Sequence, residues 1–502
     1  MKAFAVSYDV LTIHPFDMKL YDVLLVKKIN EHARLTFTGI IPEEKEEYYV
    51  QMAEEQTAIK LQYVDDHGKS RILFQGILLQ LHIKVEKSVY WLEAEVVSYT
   101  HSMDIKLENR AFQNHSLTTA DVMEQIGGTY VKAPTFNTVT KDQPLGAFTL
   151  QYQETDWEFL KRMASRIHSV LIPVSTHDSI CLYLGIPDDR DAGELETTHY
   201  RVYKDLLAYK DAGGMDYADL TEQDFICYEV TLNRVLELGD QVKFKGQKLH
   251  VFEVKTEMKR GVLLHTYTLC SKKAGYRRQT YNPKLIGASI QGKVMAVVRD
   301  DVKVQLEYDH NWSLDTASLF PYSTMYASED QTGWYCMPEK GDDVRVYFPS
   351  AKEGEGIALS TVRKKLPQEA MQSSNQTTTI VQQEQLQPVI HYDQDVKDDL
   401  MANPNTKFLL TPTGQKITFE EDRITITGAT GGATITLTSA GTIILNCENK
   451  IMLQSSKQIE MVSESIMMVA NQIEMSTKDK KGGLTIDQGQ VVIKGIEILM
   501  NQ

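Results

Sequence analysis

Residues 406–502 repeat an apolar pair every eight positions: Ile435-x-Leu437, Ile443-x-Leu445, Ile451-x-Leu453, Ile459-x-Met461 and Met467-x-Val469, with Met475 continuing the period. Gly, Ser, Asn, Lys and Glu fill the intervals. Two apolar residues separated by one place both side chains on the same face of a strand. The remaining residues of each octad turn the chain into the next strand. One copy of such a segment has a single narrow stripe and encloses no core, so the stripe must meet copies of itself. Three chains wound about a common axis would bury the stripes and leave the outer faces polar, giving a stiff needle whose stability depends on oligomerisation. The competing arrangement is an ordinary antiparallel meander. Its hairpins normally vary in length, which five equal spacings speak against.

The rest of the chain divides by composition. Residues 367–405 hold one basic and six acidic residues and read SSNQTTTIVQQEQLQPV in part. That polar, Gln-rich stretch is expected to be a linker. Residues 285–366 alternate strictly at Val302-x-Val304-x-Leu306 and Val344-x-Val346-x-Phe348, with a Lys340-Gly341-Asp342 corner between strands. Five short strands in such a length predict a small barrel of the OB-fold kind. Residues 1–284 read as mixed β with a few helices, with strands at Leu35–Phe37, Val89–Val97, Val242–Phe244 and Leu263–Leu269. Thr155-Asp156-Trp157-Glu158 is a capping box opening a helix that carries Trp157, Leu160, Met163, Ala164 and Ile167 on one face. A second helix is predicted from Thr118 or Thr119 through Val122, Met123 and Ile126 to Gly127-Gly128.

A weak duplication runs through the same region. Ile59-Lys60-Leu61, Leu73-Phe74-Gln75-Gly76 and Tyr90–Val97 resemble Val242-Lys243-Phe244, Leu249–Val254 and Leu263–Leu269. Two similar β barrels would produce it, and so would the common look of meandering sheets.

Composition excludes several classes. A net charge of −15 argues against a polyanion-binding surface, so no nucleic-acid partner is expected. No run of 18 apolar residues marks a membrane span. The N-terminus MKAFAVSYDVLTIHPF lacks the pattern of a signal peptide, so synthesis in the cytoplasm is expected, with export by another route left open. Five dispersed cysteines (Cys181, Cys227, Cys270, Cys336, Cys447) form no C-x-x-C pair and indicate neither a disulfide framework nor a zinc knuckle.

A β-rich hub, a small barrel and an octad needle in this order resemble the spike proteins of contractile injection systems: VgrG of type VI secretion, the late control D-type hubs of contractile phage tails, and relatives in phage-tail-like particles. The hub is similar through Gln153–Leu160 and Glu237-Leu238-Gly239-Asp240. The barrel is similar through Gly292-x-Val294, Val302-x-Val304 and Pro338–Val346, and the needle through Thr411–Phe419 and the octads. The resemblance implies a mainly β chain: an α+β hub with two similar β barrels (1–284), an OB-fold barrel (285–366), a polar acidic linker (367–405) and a trimeric β-helix or β-prism needle (406–502). It implies a homotrimer that links a hexameric tube protein to a membrane-puncturing tip. Its expected partners are baseplate proteins, a PAAR-like tip protein and effector cargo, with transient contact to a target membrane. Such a chain is delivered outside the cell, or into a target cell, as part of a particle.

Nothing points to an enzyme, and no catalytic, cofactor-binding or metal residue is assigned. The interval 367–405 is too short and too polar for an inserted hydrolase, and the last apolar pair, Ile496-x-Ile498, stands almost at the end. No G-x-S-x-G, H-E-x-x-H or P-loop pattern occurs. The adjacent carboxylates Glu43-Glu44, Asp342-Asp343 and Asp398-Asp399 read as solvated surface, and His168 as helix surface or core edge. No histidine follows His391, so an H-x-H metal tip is absent. A glycan-degrading or receptor-binding trimeric tailspike is the alternative. It would need aromatic platforms, whereas residues 406–502 contain Phe408, Phe419 and no Trp or Tyr.

Overall fold

The computed structural model describes residues 6–497 except 131–134, 139–143, 215–218, 310, 326, 328–332, 360–402, 404, 412, 430–431, 480 and 488. The linker expected at 367–405, with Asp398-Asp399 and His391, lies almost wholly outside the described residues. The chain is mainly β.

The first strands are β1 (Leu11–His14), β2 (Lys19–Lys28), β3 (Arg34–Ile41), β4 (Ala58–Val64), β5 (Ser70–Glu86) and β6 (Val89–Ser98), with helix α1 (Glu46–Met52) between β3 and β4. They pair in the order β1-β4-β5-β6-β3-β2. Alternation decides their inner face: Leu35, Phe37, Gly39 and Ile41 of β3 are buried while Thr36, Thr38 and Ile40 between them are not. Val23, Leu25, Leu61, Phe74, Leu92 and Val96 join them in one core.

Next come β7 (Leu107–Phe112), α2 (Thr119–Gly127), β8 (Thr135–Thr138), β9 (Thr149–Thr155), α3 (Asp156–Arg166), β10 (Leu171–Pro173) and β11 (Cys181–Leu184). Both helices start at the predicted caps. Thr118 with Asp121, and Thr155 with Glu158, form reciprocal capping boxes that satisfy orphan N–H groups of the first turn. Trp157, Leu160, Met163 and Ala164 of α3 are buried against Val122, Met123 and Ile126 of α2 and against β11.

Six further strands follow: β12 (Asp191–Glu194), β13 (Tyr200–Lys204), β14 (Ile226–Leu232), β15 (Gln241–Phe244), β16 (Gln247–Lys259) and β17 (Val262–Cys270), with α4 (Leu206–Asp211) after β13. Their order, β12-β15-β16-β17-β14-β13, repeats that of β1-β4-β5-β6-β3-β2 strand for strand. The weak likeness in sequence has this structural counterpart, with one adjustment. Leu249 pairs with Val242 as Gly76 pairs with Ile59, so Leu249 stands at the place of Gly76 and not of Leu73. The copies differ at the edge, where β1 runs antiparallel to β4 but β12 runs parallel to β15. Each has its own core, and β2 joins them by pairing with β16.

The cysteine reading needs correction. Cys227 and Cys270 are directly opposed on β14 and β17, with Cα atoms 4.6 Å apart, and form a disulfide. Antiparallel pairing brings together residues 43 apart in sequence, which no spacing rule reveals.

Residues 285–359 supply β18 (Ser289–Val298), β19 (Asp301–Leu306), β20 (Leu319–Pro321), β21 (Gly333–Tyr335), β22 (Asp343–Tyr347) and β23 (Ile357–Leu359). Five of them form one sheet in the order β20-β19-β18-β22-β23, around Val294, Val302, Val304, Phe320, Val346 and Phe348. A bridge between Tyr322 and Ala358 brings its two edges together. Gly341 turns the corner at φ +99°, where a Cβ would be strained.

The last strands are β24 (Lys407–Leu410), β25 (Lys416–Phe419), β26 (Arg423–Thr427), β27 (Ala433–Thr438), β28 (Ile443–Cys447), β29 (Gln472–Ser476), β30 (Gly483–Asp487) and β31 (Gln490–Lys494). Strands β24 to β28 form an antiparallel meander that starts on β21, and β29 to β31 form a second small sheet. In the single chain the first two octad pairs, Ile435-x-Leu437 and Ile443-x-Leu445, lie on the last two strands of this meander. Residues 451–469 carry no strand. A lone strand leaves its N–H and C=O groups without ladder partners, and one chain offers no second copy to pair them.

Candidate functional site

A continuous run of exposed apolar residues begins on the meander. Ile417 opposes Ile426, Phe419 opposes Ile424, Ile424 and Ile426 oppose Leu437 and Ile435, and these oppose Ile443 and Leu445. Directly opposed residues share a face, so Ile417, Phe419, Ile424 and Ile426 line one side together with the octad pairs Ile435-x-Leu437 and Ile443-x-Leu445. The other face carries Thr418 opposite Thr425, which opposes Thr436, and then Ile444 opposite Thr436. Phe419, Ile424, Ile426, Ile435, Leu437, Ile443 and Leu445 are all exposed, and so are Ile451, Leu453, Ile459 and Met461 beyond them. Met467 reaches 88 % and Val469 89 %. So large an apolar area rimmed by polar residues marks an interaction surface.

Two buried ionic junctions lie in the residues that precede it in the chain. The first ties α3 to the five-stranded unit. Glu353 Oε1 accepts from Arg162 Nη1 at 2.7 Å and from the Leu150 amide at 3.1 Å, and Oε2 accepts from Arg166. Arg162 also donates to both oxygens of Glu154, at 2.8 and 2.7 Å, and to the Leu150 carbonyl. All four charged groups are largely buried. The second joins the two copies: Lys27 of β2 donates to Glu237 at 2.6 Å and to the Leu73 carbonyl at 2.9 Å. Sequence reading quoted Glu237 and Glu154 only within motifs and missed Lys27 and Glu353. Lys27 left a signal, since it extends the inward series Val23, Leu25 as a charge at a core position.

A concavity of about 540 Å³ lies beside the first junction, lined by Glu154, Glu158, Lys161, Arg162, Arg277 and Lys284 among others. Its charges are largely paired: Arg162 with Glu154, and Lys284 with Glu158 at 3.7 Å. His168 stacks on Tyr276 with ring centroids 4.5 Å apart and meets the Arg277 carbonyl at 3.0 Å, a packing role at the end of α3. Glu43 and Glu44 lie exposed in a short 3-10 turn. Burial pulls the imidazoles of His32 and His265 down to about 4, although Asp104 opposes the shift at His32. Burial pushes the Asp309 carboxyl up to about 6. Among the described residues no group of three or more His, Cys, Asp or Glu could hold a metal ion.

Residues 49–166, from α1 through α3, match the family described as phage tail baseplate hub (GPD). That segment is similar to a baseplate-hub domain. It includes the capping-box helix and Glu154, Arg162 and Arg166 of the first junction, and it bears out the resemblance to VgrG and late control D-type spike proteins. The solved structures that match are distant. The Escherichia coli c3393 protein is a type VI secretion component described as similar to phage T4 tail proteins gp27 and gp5. It is 12% identical over 69% of this chain and 98% of its own, with a TM-score of 0.48. VgrG in the half-lidded Francisella PdpA–VgrG complex is 10% identical over 89% and 88%, with a TM-score of 0.44. The 43 kDa tail protein of prophage MuSo2 from Shewanella oneidensis is 9% identical over 56% and 100%, with a TM-score of 0.42. No curated protein matches. The baseplate-hub family is a structural one and not a known enzyme family.

Proposed function

We propose that this chain is the central hub and spike of a contractile injection machine. Residues 1–284 form the hub, 285–366 an OB-type barrel, 367–405 a connector and 406–502 a needle. Three chains join to bury the apolar stripes, and the two six-strand copies per chain then offer six similar units to a hexameric tube. Baseplate proteins surround the hub, a PAAR-like tip protein sits on the needle, and effectors travel on or in the spike. Sheath contraction supplies the force, and the narrow needle concentrates it on a small area of target membrane.

One observation carries this reading: a segment similar to a baseplate-hub domain and an octad segment with an uncovered apolar face occupy the same chain. The hub places the chain's relatives in tail assemblies, and the exposed face calls for further copies of that segment. Removal of the chain from cells that make the particle tests it. Tube and sheath assembly should fail to start, and restoring a chain truncated after residue 405 should not recover injection. Particles that assemble and inject without the chain would overturn the proposal.

A further inference from the structure

We infer that strand β13 of one chain pairs with the free edge of β5 in a second copy of this chain, with Val202 opposite Ile83 and Lys204 bonded to Glu54. The number of copies rests on the trimeric reading above. The contact itself rests on the duplication inside one chain.

The two copies match residue by residue. Each long hairpin closes through a two-residue turn with both residues at positive φ: Lys87-Ser88 between β5 and β6, and Arg260-Gly261 between β16 and β17. Each hairpin also carries its register shift at the same distance from the turn, between Leu78 and Gln80 and between Val251 and Glu253. Counting from the turns, Ile83 corresponds to Thr256 and Leu81 to Val254. The cross-sheet row Leu25–Leu35–Val96–Leu78 then falls on the row Val202–Tyr228–Leu269–Val251. Val202 thus stands where Leu25 does, and Lys204 where Lys27 does. The turn before β4 matches the turn before β15. Glu54 N donates to Thr57 Oγ1 as Glu237 N donates to Asp240 Oδ2, and the Thr57 and Asp240 carbonyls accept from Leu78 and Val251, each at 3.0 Å. Glu54 therefore stands where Glu237 does.

Within the chain, β2 of the first copy covers the far half of β16 in the second, with Leu25 opposite Thr256 and Lys27 reaching Glu237. Both equivalent surfaces are open. β4 covers β5 only as far as Ile77, and beyond it a groove of about 290 Å³ runs past Glu54, Leu79, Gln80 and Leu81. Among the described strands β13 pairs only with β14. Leu25 is 1 % exposed and Val202 is 52 % exposed, although both are apolar and hold the same place in the repeat. Lys204 and Glu54 are likewise exposed, with Lys204 only 3.4 Å from the exposed Glu222. An occupant that presents a strand edge, an apolar residue and a lysine at these spacings is β13 of another copy. The contact is head-to-tail and heterologous, so it closes into a ring or runs on as a filament. A threefold needle selects the ring of three chains.

The test uses the full chain. First, the mass of the unaltered protein is measured by light scattering. Then Val202→Cys is combined with Ile83→Cys, oxidised and run without reductant. Reducible products up to three chains are expected, while Val202→Cys with His82→Cys, whose side chains face opposite ways, should give few. Equal cross-linking of both pairs would overturn the register. A trimer without the Val202–Ile83 cross-link would overturn this contact and leave the trimeric reading standing, whereas a monomer would overturn both. Lys204→Glu should weaken self-association about 30-fold or more. Adding Glu54→Lys should restore it, which a folding defect would not allow.

Discussion

Glu353→Gln tests how the five-stranded unit is held to the hub. The Glu353 carboxylate is buried and accepts from Arg162, Arg166 and the Leu150 amide. Two guanidinium charges face two carboxylates, Glu154 and Glu353, so the cluster is neutral as built. The amide variant keeps one carbonyl oxygen but removes a charge, leaving a buried net positive charge. Breaking one side of such a cluster costs about 3–5 kcal/mol. Because so large a chain need not unfold in one step, the readout should be local. The Leu150 amide is bonded to Glu353, so its hydrogen exchange reports opening of the junction directly. Exchange at Leu150 should quicken by about 10²-fold to several 10³-fold, since each 1.4 kcal/mol is tenfold. The double variant Glu353→Gln with Arg166→Met, neutral again, should recover part of that protection. A change below about tenfold at Leu150 would show that the junction does not depend on the buried charge pair.

Other outcomes follow from the same structure. Acidification should weaken the hub: His32 and His265 have folded pKa values near 4, so the stability they contribute is full above about 6.5 and is lost as pH falls through 4. His265→Gln should flatten the decline of the urea midpoint between pH 7 and 4, and an unchanged slope would refute its part in it. Asp309 acts in the opposite sense. Its contribution is present below about 4 and is lost as pH rises through 6, so Asp309→Asn should raise hydrogen-exchange protection around Leu306 at pH 7. Replacing Ile451 and Leu453 together by Asp should abolish assembly through buried unpaired charge, and a variant of normal mass would show that those side chains face outward. Protein purified without reductant and then denatured should titrate three thiols, those of Cys181, Cys336 and Cys447, whereas five would mean that Cys227 and Cys270 are not bonded.

Local features were legible in sequence because local physics fixes them. The Thr155 cap and the Trp157, Leu160, Met163 face of α3 follow from hydrogen bonds and a period within a few residues. The Leu35, Phe37 alternation fixed the inner face of β3 in the same way. Partnership at long range was not legible. Cys227 meets Cys270, and Lys27 meets Glu237, only because β14 pairs with β17 and β2 with β16. Glu353 reaches Arg162 across 191 positions. The octads show the boundary most clearly. Their spacing states which side chains share a face, and the structure places them so from Ile417 to Leu445. The proposed cover for that face is a second copy of the segment, which neither the sequence period nor a single chain displays.

The central claim is that the octad stripe is buried by two further copies. The mass of the full chain in dilute solution tests it most directly. Light scattering should give three times the 57.0 kDa of one chain, unchanged on dilution through the micromolar range. A stable, folded species of one chain mass, with Ile435, Leu437 and Ile443 still open to solvent, would contradict it.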